Sequence, residues 1–174
     1  LMPRPAPRAI NMIQLGRALT DPDLSPPVKA LYVYNANPPS VVPNQELVLQ
    51  GLRREDLFTL VHEQHLTDTT DYADLVLPAT TSMEHTDLYK SYGHFYLQLA
   101  RPVIAPRGES RSNWAVTRLL ARAMGLRDPH FAKSEDDLIR EMLASGDASV
   151  AGITLERLER EHSVRLSVGR PYQP

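Results

Sequence analysis

Two short apolar runs, placed about a helix apart, constrain this chain more than anything else in it. The first is VKALYVY, from Val28 to Tyr34, and the second spans Asp56 to His62 and contains FTLVH. Both are rich in β-branched and aromatic residues, the composition of buried strands. Between them lie a proline-broken loop, Asn35 to Asn44, and a segment from Gln45 to Arg54. In that segment Leu47, Leu49 and Leu52 recur as on a helix, with Asn44 at the N-cap position. Strand, loop, helix and strand in this order have the length of one βαβ unit. Such a crossover is almost always right-handed and joins parallel strands. The reading therefore expects both strands buried in a parallel sheet.

A third short strand, Leu75 to Pro78, follows the polar loop LTDTTDYAD. Helical spacing also marks Ala9 to Leu19, Ser112 to Met124, Ser134 to Leu143 and Thr154 to Glu161. Ser112 and Ser134 stand where caps belong, and Gly125 stands where a helix stops. Ala79 to Glu84 is expected to begin a helix, Phe95 to Ala100 to form an extended edge, and Val164 to Val168 to form a last strand. The proline-rich residues 1–8 and the tail GRPYQP are expected to be extended or linker-like.

Composition narrows the function classes. The 174 residues are 42% hydrophobic and 23% charged, which suits one domain with a real core. The formal charge of −2 gives no sign of a nucleic-acid partner. No apolar run approaches the ~20 residues of a membrane span, so membrane insertion is not expected. The chain has no cysteine, which rules out thiolate metal sites and iron–sulfur ligation by its own residues. The glycines are scattered, so there is neither a P-loop nor a GxGxxG fingerprint, and no GxSxG occurs. His62 and His65 are three apart at a strand end, the wrong spacing for a helical zinc pair.

In a parallel sheet, ligands sit at the carboxyl ends of the strands. Asn37 and Ser40 offer polar groups after the first strand, though an ordinary strand-to-helix turn explains the same residues. His62 and Glu63 end the second strand. Thr67, Asp68, Thr69 and Thr70 crowd the next loop, where they either meet a ligand or cap a turn. Asp74 is better placed to bond nearby backbone. Tyr89, Tyr92, His94 and Tyr96 form an aromatic and polar group, and Glu84 with His85 could make an acid–base pair. No nucleophile stands with them, so the residues by themselves describe a ligand edge without a catalytic constellation.

Three segments in order carry a family likeness. VKALYVYNANPPS resembles the strand and Asn-Pro segment of molybdopterin-dependent oxidoreductases of the dimethyl sulfoxide reductase type. FTLVHEQHLTDTTDYADLVLPATTSMEHTD resembles that family's next strand, threonine loop and Ala-Asp-Val-Val-Leu-Pro run. SYGHFYLQLARPVIAPRGESRSNWAVTRLLARAMG is similar to the region that follows in one branch. The likeness spans Ala9 to Gly125. It implies a Rossmann-like, three-layer α/β/α fold with a mostly parallel sheet, an incomplete domain of a larger enzyme. Residues 1–174 would be a single α/β domain fragment: an N-terminal helix and loop over 1–27, a core over 28–125, and C-terminal helices with a linker toward a β-barrel domain over 126–174.

The resemblance also implies a cofactor: molybdenum or tungsten held by the dithiolenes of molybdopterin guanine dinucleotide. The metal's protein ligand would lie upstream, as would the cysteines of any iron–sulfur cluster. Asn37 and Pro38 match the Asn-Pro that lies against the dinucleotide, with Ser40 beside them. His62 and Glu63 match the strand end that faces it, and Thr67 and Thr69 match the two loop threonines. Asp68 replaces the usual Glu, Thr70 the usual Ala, and His85-Thr86 the usual Gly-Thr. Implied partners are the remaining domains of the same polypeptide and electron-transfer subunits. The competing readings are a stand-alone α/β nucleotide-binding module and a non-catalytic structural or interaction domain.

Overall fold

The computed structural model describes residues 8–169, so the expectations for the first seven residues and for 170–174 fall outside it. The chain divides into two compact units, the first ending at Ala79 and the second beginning at Thr80. Each unit has its own sheet and its own apolar cluster.

The first unit is the βαβ pattern made real. Strands β1 (Ala30–Tyr34), β2 (Phe58–Glu63) and β3 (Leu75–Pro78) form a parallel sheet in the order β1-β2-β3. Tyr32 pairs with Leu60, and Leu60 with Leu75. The helices are α1 (Leu15–Thr20), α2 (Pro38–Val41) and α3 (Gln45–Leu52). Leu19, Val42, Val48, Leu52 and Leu57 build the core of this unit, with Leu31 of β1 packed against it.

Strands added in one direction through right-handed crossovers place every crossover on the same side. The order β1-β2-β3 is of this kind. Residues 31 and 33 face the helices, while the alternate positions Tyr32, Tyr34, Phe58 and Leu75 stay exposed. The expected burial of β1 on both faces is therefore corrected: only Val33 of that strand is buried. Helices α1 and α3 lie very close. A Cβ placed on Gly51 would come within 2.4 Å of Leu19 Cβ, and one on Gly16 within 2.8 Å of Leu47 Cβ.

The second unit holds an antiparallel sheet in the order β4-β5-β6, from Asp87–Tyr89, Tyr96–Ala100 and Ser163–Arg165. The segment expected as an edge, β5, is thus the central strand. Helices α4 (Asn113–Ala123), α5 (Glu135–Leu143) and α6 (Leu155–Glu161) begin where the caps predict. Ser112 accepts from the Ala115 N–H, and Ser134 with Asp137 closes a capping box. Leu97, Ile139, Leu143, Ile153, Leu158 and Val164 form the core of this unit.

The helix expected from Ala79 is absent. Glu84 takes its place as an organiser: its buried carboxylate accepts from Thr81 N at 2.7 Å, Thr81 Oγ1 at 2.9 Å and Arg107 N at 2.7 Å. These bonds hold a turn rather than a helix.

Candidate ligand edge at the carboxyl ends of the parallel strands

The loops after β1 and β2 emerge side by side because their strands are neighbours. The first loop leaves β1 through Asn35, whose φ of 51° lies in the left-handed region that Asn tolerates better than most residues. It then enters α2 with Pro38 and Pro39 in the first turn, where a missing N–H costs nothing. Asn37 stands at the N-cap but makes no capping bond with its side chain. Its amide reaches across to the second loop instead.

The second loop folds as a 3-10 turn over Asp68–Tyr72. Thr69 is fully buried, and its hydroxyl donates to Asn37 Oδ1 at 2.7 Å. Asn37 Nδ2 donates to Ser40 Oγ at 3.0 Å and lies 3.4 Å from Asp68 Oδ2. Ser40 Oγ donates to Asp68 Oδ2 at 2.7 Å. Four side chains from two loops thus form one network, with Asp68 as the acceptor at its centre. The bond from Ser40, and then that from Asn37, holds the Asp68 carboxyl below the usual carboxylate range.

The hydroxyl of Thr67 stands apart from this network. Thr67 Oγ1 is buried and has no hydrogen-bond partner among the described residues, as is also true of Thr59 Oγ1 and Ser110 Oγ. Only Thr67 of these three belongs to the loops at the strand ends. Neither residues 35–44 nor residues 64–74 contain Lys or Arg, and Asp68 is anionic. This donor set suits hydroxyl and amine groups, such as those of a ribose or a purine edge, better than a phosphate.

The remaining expected positions behave differently. Pro38 is buried in the first turn of α2. Glu63 is half-buried and accepts from the Gln64 N–H at 2.7 Å. His62 is fully buried at the end of β2, with Nδ1 3.2 Å from the Tyr32 hydroxyl and the two rings stacked at 6.5 Å. Burial, with Tyr34 nearby, raises the Tyr32 hydroxyl above its ordinary range. The structure therefore gathers Asn37, Ser40 and Thr69 into one cluster with Asp68. Asp68 is the residue that sequence reasoning undervalued. Its only signal was an acid in a loop of threonines.

Asp74 bonds backbone as expected, accepting from Thr59 N at 2.6 Å. In the second unit Glu84 and His85 do not form a catalytic pair. Glu84 is committed to backbone donors, and His85 Nδ1 lies 2.9 Å from Thr80 Oγ1. Of the aromatic group, Tyr92 is wholly exposed, while His94 and Tyr96 meet edge to face at 6.0 Å.

Comparison with known proteins gives this geometry a setting. A family model described as molybdopterin oxidoreductase matches residues 17–123. The probable oxidoreductase YoaE of Bacillus subtilis (strain 168) is 47% identical over 169 residues, covering 97% of this chain and 25% of YoaE. The assimilatory nitrate reductase catalytic subunit of the same organism is 30% identical over 162 residues, covering 90% of this chain and 22% of that subunit. Among solved structures, acetylene hydratase from Pelobacter acetylenicus superposes with a TM-score of 0.71 at 27% identity, over 91% of this chain and 21% of that one. The chain spans about a quarter of the length of the relatives it matches. With the family model covering well over half of its residues, the chain belongs to the molybdopterin oxidoreductase family.

Proposed function

We propose that this chain supplies one face of a molybdopterin guanine dinucleotide site in a molybdenum or tungsten oxidoreductase. The contacts would come from Asn37, Pro38, Ser40, Thr67 and Thr69, with His62 and Glu63 behind them at the strand end. The cofactor supplies two-electron redox or oxygen-atom chemistry when bound; the residues of this chain bind and orient it. Asn37, Ser40, Asp68 and Thr69 hold the two loops in register. The cysteine-free chain leaves any iron–sulfur cluster to residues outside it, and the family likeness puts the metal's protein ligand upstream. The remaining domains of the parent polypeptide and electron-transfer subunits are the proposed partners.

The observation that carries the reading is the buried, unpartnered hydroxyl of Thr67 beside the Asn37–Asp68 network. An unpaired buried hydroxyl costs stability, so its retention at a strand end is best explained by a ligand. Thr67→Val in the full-length protein tests this. The exchange breaks no internal bond of the hydroxyl, so the fold should be at least as stable to heat. Metal content and guanine released by acid hydrolysis should both fall. Normal cofactor content in a well-folded Thr67→Val protein would refute the assignment and favour an interaction domain. Saturable binding of guanine nucleotide to the isolated chain would instead favour the stand-alone module.

A further inference from the structure

A cleft of about 750 Å³ runs along the outer flank of α4 and the loop that follows it. Its walls carry Arg111, Arg118, Arg122 and Arg127 against a single acid, Asp128. Arg118 and Arg122 stand one turn apart on α4 and therefore share a face. Arg118 Nε donates to Phe131 O at 3.1 Å, which holds the loop to the helix. The guanidinium groups of Arg122 and Arg127 make no ion pair or hydrogen bond with any described residue. Several arginines elsewhere are paired, among them Arg54 with Asp56, Arg101 with Asp136 and Arg157 with Glu161.

Apolar side chains share the cleft. Leu119 and Leu126 line it while 52% and 41% exposed. Solvated basic faces are common on proteins; this one lines a cleft and adjoins two exposed leucines. Arginine beside apolar anchors is the composition of protein–protein contacts. We propose that this cleft docks an acidic, apolar-anchored segment of a partner protein. Carboxylates about one helical turn apart meet Arg122 and Arg127, and an apolar side chain rests on Leu119 and Leu126. The inference is independent of the dinucleotide site.

A free phosphate fits less well. The cleft sits toward the C-terminal end of α4, the negative end of its dipole. Two of the N–H groups there are already used: Gly125 N donates to Arg122 O and Leu126 N to Ala121 O.

The test uses the full-length protein and a fluorescein-labelled helical peptide of Glu and Leu, with Glu residues one turn apart, read by anisotropy. The same peptide with Lys for Glu is the control. Saturable binding of the Glu peptide alone is expected. It should weaken at least about tenfold in Arg122→Glu/Arg127→Glu, weaken in Leu119→Ser, and fall as salt shortens the screening length. Equal binding to the charge-reversed variant overturns the proposal. Saturable binding of inorganic triphosphate with no binding of the Glu peptide also overturns it, in favour of a small-anion site. So does a lower melting temperature in the variant with peptide binding unchanged, which would show that the protein's own chain fills the cleft.

Discussion

Gly51→Ala sets two physical effects against each other, and the structure decides between them. Gly in a helix interior is less favourable than Ala by about 0.8–1.0 kcal/mol, so propensity alone predicts a more stable α3. The added methyl, however, would lie 2.4 Å from Leu19 Cβ and 3.0 Å from Leu19 Cδ1. Carbon atoms in contact prefer about 3.5–4.0 Å, so α1 and α3 must part by roughly 1 Å or the backbone must bend. Leu19 is 1% exposed and central to the apolar cluster, so it has nowhere to retreat. Overpacking of this kind costs about 1–3 kcal/mol, and a clash between two Cβ atoms belongs at the upper end. Subtracting the propensity gain leaves about 2 kcal/mol of net destabilisation. Hydrogen exchange by mass spectrometry on the full-length protein reads this directly. Protection of residues in α1 and α3 should fall about thirtyfold where they exchange by joint opening. Leu19→Ala should not rescue it, because the offending Cβ remains. Protection that is unchanged or raised severalfold would mean the helices yield freely, and the close-packing argument would fail.

Two further outcomes follow from particular bonds. The N–H groups of Thr81 and Arg107 hold the Glu84 carboxyl below its ordinary range, so its stabilising effect is complete above the unfolded value of about 4.3 and is lost as pH falls through the lowered folded one. Glu84→Gln should therefore lower the melting temperature at neutral pH, and the difference from wild type should shrink toward pH 3; a difference independent of pH would contradict the role given to the charge. Leu158→Ala removes a fully buried side chain from the second core and should cost about 2–5 kcal/mol, measured as a lowered denaturant midpoint with unchanged slope.

The sequence made the parallel unit legible because its signals are local. Runs of β-branched and aromatic residues mark β1 and β2, and leucines at helical spacing mark α3 between them. The cap serines placed α4 and α5 to within a residue. The second sheet was legible only in part: β5 and most of β6 fall where strands were expected, but β4 was not seen, nor were pairings such as Leu97 with Val164, which no window of sequence displays. Ala79 to Glu84 misled for a related reason: a helical composition gave way to a side chain, Glu84, that satisfied distant backbone donors. At the ligand edge, Asn37, Ser40 and the threonines were visible as polar residues after adjacent strands. The bonds to Asp68 come from Ser40 and Asn37 across 28 and 31 positions, which only folding brings about.

The sheet face that carries Tyr32, Tyr34, Phe58 and Leu75 bears on how these residues behave in a test tube. His62 on the same face is buried, but these four large side chains stay exposed, so topology has been turned into stickiness. A preparation of residues 1–174 should light up a hydrophobic dye and self-associate as its concentration rises. Ser or Thr in place of Phe58 and Leu75 would make residues 1–174 easier to handle, since neither position belongs to the core that holds α1 and α3.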